Sequence, residues 1–248
     1  MEPASNPLEN ITVVLVEPAT PGNIGATARV LKNTGMGRLV LVNPGNWDTP
    51  ETRWMAHGAH DILEACTLVP DLATALAQAH LVVGTTHRTG RFRQVSSQPR
   101  QLVPQWAQLA YHHRIALVFG REKDGLWHSE LQLCHHLLRF PSAVDHPSFN
   151  LSQAVLLLTY EFFTALQTVH PFPQHPLANS AERERLFEHV GQAMEAIDFK
   201  PYNNQPTQFS RLMRRFFNRQ PLDRRDVMVF HKICGQICKF AARKDRNS

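Results

Sequence analysis

Three short segments of the 248-residue chain concentrate residue types that bind and orient ligands. The first, Gly22-Asn23-Ile24-Gly25-Ala26-Thr27-Ala28-Arg29, directly follows an apolar run. Glycines at a strand-to-helix turn let the backbone come close to a phosphate or ribose, and a helix N-terminus favours an anion. The spacing is not the Gly-x-Gly-x-x-Gly of dinucleotide binders. A glycine turn required only for packing fits the same letters, with Arg29 two turns into the helix that follows. The second segment, Phe119-Gly120-Arg121-Glu122-Lys123-Asp124-Gly125-Leu126, sets four consecutive charged residues between two glycines. That pattern suits a ligand loop, with a plain solvated loop as the alternative. The third, Pro147-Ser148-Phe149-Asn150-Leu151-Ser152, opens a long apolar stretch. One Ser or Asn there suffices to cap a helix, and here three such residues cluster.

Segments like these need a frame. Ile11–Glu17, Arg38–Val42, Thr67–Val69, Leu81–Gly84, Ile115–Phe119 and Leu137–Phe140 read as strands. Helical stretches at Gly22–Asn33, Trp54–Gly58 and Asp71–Ala79 alternate with them, the last capped by Asp71. Continuous apolar strands separated by helices predict a parallel sheet covered on both faces, an α/β fold. Asn150–Val169 is the strongest helix, apolar on nearly all sides with Glu161 its single charge. Such a helix is expected to be buried all round, inside a domain or against another subunit. From His170 to Pro176, three prolines in the last six residues forbid regular structure and mark a linker. Ala181–Ile197, Thr207–Arg219 and Asp223–Arg243 read as helices of a small C-terminal domain. The expected division is therefore 1–169, a linker over 170–180, and 181–248.

Charge is distributed unevenly across that division. Residues 181–248 hold 14 Lys and Arg against 8 Asp and Glu, whereas the first 180 residues hold 12 against 13. All the excess positive charge thus lies in the C-terminal quarter, which points to a polyanionic partner, nucleic acid before membrane. Arg211, Arg214, Arg215 and Arg219 recur at helical spacing around Leu212, Met213, Phe216 and Phe217, giving a basic face to grip RNA, or a face that is merely solvated. No apolar run approaches the roughly 18 residues of a membrane span, and no basic leader precedes an apolar one, so a cytoplasmic protein is expected. The four cysteines, Cys66, Cys134, Cys234 and Cys238, match no zinc spacing and are read as packed free thiols, with no metal expected. The pairs His112-His113 and His135-His136 flank strand-like runs and are read as structural.

In order and spacing over residues 11–168, the three segments resemble the motifs of the SPOUT methyltransferases. They are most similar to the TrmJ-like group of tRNA ribose 2′-O-methyltransferases. GNIGATAR resembles motif one, LVFGREKDGL motif two and HPSFNLSQAV motif three, where Ser-Leu-Asn-Leu is more usual than Ser148-Phe149-Asn150-Leu151. The strand LVVGTTHR lies between the first two. The resemblance implies an α/β fold closed by a deep C-terminal trefoil knot, an obligate homodimer with active sites near the interface, and S-adenosylmethionine as cofactor. It carries cofactor binding onto Thr85, Thr86 and His87 after the LVVG strand, and onto Gly120, Phe140, Pro147, Ser148 and Phe149. His87 and Phe140 depart from the smaller or aliphatic residues of the pattern. Arg29 matches the catalytic arginine, and Asn23, Glu122, Ser148 and Asn150 match orienting groups around the reacting hydroxyl. The implied substrate is tRNA, methylated at cytidine or uridine 32 of the anticodon loop. Alternatives are a SPOUT ribose methyltransferase acting on ribosomal RNA or another tRNA nucleotide, and a non-catalytic RNA-binding module on the same fold.

Overall fold

The structure, a computed structural model, describes residues 6–87, 95–144, 149–169, 176–200, 206–218 and 222–246. The chain divides into two compact units, residues 1–174 and 175–248.

Among the described residues, seven strands build the first unit: β1 (Ile11–Val16), β2 (Arg38–Val42), β3 (Thr67–Val69), β4 (Leu81–Thr85), β5 (Val95–Ser96), β6 (Ile115–Phe119) and β7 (His136–Leu138). They form one sheet in the order β3-β2-β1-β6-β4-β7-β5, and every pairing is parallel. Along β1, Val13 and Leu15 join a core with Ile24, Leu31, Val103 and Leu158, while Val14 and Val16 join another with Leu72, Leu76 and Leu131. Alternate residues of a strand point to opposite faces, and both faces here are covered, which is why the strands read as unbroken apolar runs.

The helices are α1 (Pro21–Asn33), α2 (Pro50–Met55), α3 (His60–Glu64), α4 (Leu72–Leu76), α5 (Pro99–Leu109), α6 (His128–Leu133) and α7 (Leu151–Leu166). α2 begins four residues before the expected Trp54, because Thr49 caps it by accepting the Thr52 N–H and Pro50 fills its first position. The sequence pattern did not indicate α3, α5, α6 or β5. Pro104 stands inside α5, where proline argues against a helix, and β5 has only two residues. β7 ends at Leu138, so Phe140 lies beyond the strand rather than in it.

The largest departure concerns α7. Val155, Leu158, Thr159 and Phe162 are buried against the sheet side, but Leu156 (43%), Leu157 (37%) and Tyr160 (55%) remain exposed. Among the described residues α1 and α5 pack on α7 and leave these side chains uncovered. Of the two expected forms of cover, inside a domain or against another subunit, the first is thus not met within the described residues. The histidine pairs behave as structural groups. His113 is buried with its ring 5.0 Å from that of His80, and His136 lies 5.2 Å from the Trp106 ring. The Val82 N–H donates to His135 Nδ1 at 3.1 Å.

The second unit consists of α8 (Ser180–Ala196), α9 (Pro206–Phe217) and α10 (Arg224–Arg246), around a core of Leu186, Val190, Ala193, Val227 and Cys234. Asn179 and Glu182 exchange side-chain-to-backbone hydrogen bonds of 2.9 and 2.8 Å, so α8 starts with a reciprocal cap. Arg183 is 2% exposed and donates to the Phe217 carbonyl (3.0 Å) and to Asn218 Oδ1 (2.7 Å). Burial draws its guanidinium down to about 10, which leaves it charged at neutral pH. All four cysteines are free, and burial pushes the Cys134 thiol up to about 12. Among the described residues no three His, Cys, Asp or Glu side chains group as metal ligands, and no helix is long and apolar enough to cross a membrane.

Candidate active site

The three segments meet at the carboxyl ends of the strands, where open parallel sheets hold their ligands. Glu122, three residues past β6, reaches over the loop that follows β1. Its Oε2 accepts the Ala19 N–H at 2.9 Å, and its Oε1 accepts the Thr20 N–H at 3.0 Å and Asn23 Nδ2 at 2.9 Å. Asn23 Oδ1 in turn accepts Asn150 Nδ2 at 2.8 Å. One residue from each segment therefore joins a continuous chain, Glu122 to Asn23 to Asn150. Burial pushes the Glu122 carboxyl up, but the hydrogen bonds from Ala19, Asn23 and Thr20 outweigh it and hold the group below the usual carboxylate range. It is an ionised carboxylate that accepts three hydrogen bonds and so ties the loop after β1 to the Asn23 amide. Asn150 does cap α7, accepting the Ser152 N–H (2.9 Å) and hydroxyl (2.8 Å), while its own N–H donates to Gln153 Oε1 (3.1 Å). The cap and the link to Asn23 use different atoms of one side chain.

Beside this chain lies a cleft of about 350 Å³. Thr85, Thr86 and His87 line it at and just past the end of β4, Gly120 to Leu126 after β6, Phe140 beyond β7, and Phe149 and Leu151 at the start of α7. It thus gathers Thr85, Thr86, His87, Gly120, Phe140 and Phe149, while Pro147 and Ser148 lie outside the described residues. The Phe140 and Phe149 rings stand edge to face, 6.3 Å apart. Aromatic and aliphatic walls suit a flat heteroaromatic group, and the polar lining mixes carboxylates (Glu122, Asp124) with cations (Arg121, Lys123, Arg139), so the walls fit the adenosyl part of S-adenosylmethionine. Gly120 has a further reason to be glycine. A Cβ there would stand 2.2 Å from the Gly125 carbonyl carbon, since the loop folds back onto it.

The charged run after Gly120 is less of a ligand loop than its letters suggest. Arg121 is pinned inward: Nε donates to Glu17 Oε2 (2.7 Å), its two terminal nitrogens to Glu130 (3.0 and 2.9 Å), and its guanidinium carbon lies 3.5 Å from the Trp127 ring centre. These carboxylates raise its pKa against the pull of burial. Sequence spacing gave no sign of Arg121, Glu17 or Glu130 as a set, because Glu17 is 104 positions away. In the first segment the packing reading holds for Gly25: a Cβ there would lie 2.1 Å from the Thr52 carbonyl oxygen of α2. Arg29 projects exposed from α1, forms no ion pair among the described residues, and is not in the wall of the cleft.

The basic residues of α9 separate in the same manner. Arg211 and Arg215 are exposed, but Arg214 makes a two-pronged pair with Glu184 (2.5 and 2.6 Å) over the Phe187 ring. Its charge is therefore spent inside the unit. The apolar residues split too, with Phe217 buried and Leu212 and Phe216 exposed. Arg219 lies outside the described residues.

Comparison with known proteins shows the family of the chain. The SpoU rRNA Methylase family matches residues 10–160, and the tRNA methyltransferase TrmJ, C-terminal domain, matches residues 181–247. The chain is 34% identical over 239 residues to a tRNA (cytidine/uridine-2′-O-)-methyltransferase TrmJ of Pectobacterium atrosepticum, covering 94% of this chain and 98% of that one. Among solved structures it resembles TrmJ from Z. mobilis ZM4, with a TM-score of 0.74, 24% identity, and 91% and 98% of the two chains covered. It shares its fold with the SpoU methyltransferase AviRb of Streptomyces viridochromogenes, solved with the cofactor AdoMet (TM-score 0.52, 20% identity, 65% and 62% covered). With one family covering its sheet and the other its C-terminal helices, the chain belongs to the SpoU methylase family, in the branch that carries a TrmJ-type C-terminal domain.

Proposed function

We propose that this protein transfers the methyl group of S-adenosylmethionine to a ribose 2′-hydroxyl of tRNA, at cytidine or uridine 32 of the anticodon loop. The observation that carries the reading is the Glu122–Asn23–Asn150 chain at the rim of an aromatic-walled cleft. The names of the TrmJ relatives support the tRNA and the 2′-oxygen. Thr85, Thr86, His87, Gly120, Phe140 and Phe149 would hold the cofactor, together with Pro147 and Ser148 of the third segment. When bound, that cofactor supplies an electrophilic methyl on a sulfonium, and the protein contributes alignment and charge placement. Glu122 fixes the loop after β1 and the Asn23 amide, Asn150 ties that amide to α7, and Ser148 orients the hydroxyl. Arg29 carries a planar fork of N–H donors; its role would be to hold a phosphate and stabilise the developing alkoxide.

Arg211, Arg215 and Arg219 of the second unit would hold the tRNA backbone, with Arg214 in a supporting place. The exposed Leu156, Leu157 and Tyr160 of α7 support a homodimer, since a second copy would complete the burial of that helix. The trefoil knot and a cytoplasmic location belong to the same reading. The test is transfer of labelled methyl from S-adenosylmethionine to tRNA transcripts, with the product mapped by mass spectrometry. A ribose methyl at nucleotide 32 is expected. Label on ribosomal RNA or another nucleotide would move the substrate assignment, and no label on any RNA would overturn the reading.

A further inference from the structure

A second, smaller cleft of about 200 Å³ opens at the carboxyl ends of β1 and β2, walled by Glu17, Ala19, Ile24, Asn43, Asn46 and Trp47. Only one layer of contacts separates it from the cofactor cleft. The Ala19 N–H meets Glu122 at 2.9 Å, and Glu17 meets Arg121 at 2.7 Å, each bond joining the wall of one cleft to the wall of the other. We propose that this second cleft receives the pyrimidine base of the nucleotide whose ribose is methylated, an inference that rests on the methyltransferase reading above.

The lining excludes a phosphate site, because its residues include carboxylate, amides and an indole but no Lys or Arg. Amide and carboxylate side chains are the groups that read base edges, where a carboxylate accepts an exocyclic amino group. An unstacked base is held by stacking on an aromatic ring, and Trp47 offers one. Arg121, hydrogen-bonded to Glu17, holds that carboxyl below its usual range, so it stands ready as an acceptor. The backbone is specialised here as well. Glu17 (φ 44°) and Asn43 (φ 43°) both adopt the left-handed conformation, rare for residues other than glycine and frequent where a site stores strain. Their N–H groups are anchored on Val42 (2.9 Å) and Val69 (2.8 Å), and Asn43 Nδ2 reaches Glu17 Oε1 at 3.4 Å. A base seated in this cleft would leave its ribose, one glycosidic bond away, at the shared wall beside Glu122.

The experiment compares wild type with Asn46→Ala and Trp47→Leu on anticodon stem-loops whose target nucleotide carries cytosine, uracil or no base at all. Asn46 is exposed, so its truncation leaves the fold intact, and S-adenosylhomocysteine binding by calorimetry verifies the cofactor cleft of both variants. With wild type, removal of the base is expected to lower kcat/KM roughly tenfold to a hundredfold, the scale of one lost stacked base. Each variant should lower kcat/KM by about tenfold on the pyrimidine substrates, as for one lost base contact, and leave the baseless substrate unchanged. An equal loss on all three substrates, or no loss on the pyrimidines, would overturn the base-pocket assignment while leaving the methyltransferase reading standing. Wild type that methylates none of these RNAs nor intact tRNA would overturn both.

Discussion

The carboxylate of Glu122 accepts three hydrogen bonds from the loop and helix that follow β1, and that saturation decides its part. In Glu122→Gln one acceptor oxygen becomes a donor, so either the Ala19 N–H or the Thr20 N–H together with the Asn23 amide loses its acceptor. A hydrogen bond to a charged group contributes about 1.5–3 kcal/mol, so methyl transfer should fall roughly tenfold to a hundredfold, measured as kcat under saturating cofactor. The same carboxyl governs an acid response. Its folded pKa is depressed, so its contribution to stability is present in full above the unfolded-chain value of about 4.3 and is lost as pH falls through the lowered folded value. Thermal unfolding followed by circular dichroism between pH 3 and pH 7 should show a steeper acid loss for wild type than for Glu122→Gln. Equal slopes would mean that this carboxyl does not hold the loop. Arg29 is tested differently, because it is exposed. Arg29→Ala should keep cofactor binding and fold yet slow methylation by roughly two to four orders of magnitude, the scale of a lost transition-state contact; a fully active variant returns the first segment to a packing turn. The sequence did show which residues of this chain carry polar chemistry, Asn23, Glu122 and Asn150 among them. It did not show Arg121 as a buried pin, since a run of four charges looks alike whether it faces solvent or Glu17 and Glu130.

Helices give the clearest case of a local pattern completed by its neighbours. The composition of α7 correctly marked a helix, and its cap was legible in Asn150; burial was expected on every side, inside a domain or against another subunit. The structure covers one side only. If a second copy covers the rest, Leu156→Glu combined with Tyr160→Glu should shift the protein from dimer to monomer in sedimentation, with monomeric wild type as the contrary result. In α9 the periodicity of arginine was visible, whereas the partner of each was not. Arg214 is committed to Glu184, so Arg215→Ala should lower the slope of log tRNA affinity against log salt by about one phosphate contact, 0.7–0.9. Arg214→Ala should leave that slope nearly unchanged and lower the melting temperature instead. A slope change equal for both would place Arg214 on the RNA after all.

At the scale of the molecule, each unit has its own apolar core, so the units should separate in function as they do in charge. Truncation after Val169 should retain S-adenosylhomocysteine binding, weaken tRNA binding and flatten its salt dependence. A truncated protein that binds and methylates tRNA like the full chain would give recognition to the first unit alone. The amino-acid order by itself determined the α/β class, because strands covered on both faces must be apolar throughout. It marked three segments in which glycine, amide and carboxylate residues cluster, and it determined the basic character of the C-terminal helices, because charge is simply counted. Only the tertiary structure decided that β1 lies beside β6, with about a hundred residues of chain between them. That adjacency brings Glu122 to Asn23 and Arg121 to Glu17, and sets two clefts against one shared wall. A hydrogen bond depends on distances of about 3 Å, and the strand order that creates those distances is fixed by how two apolar faces are covered, not by any pattern within a single segment.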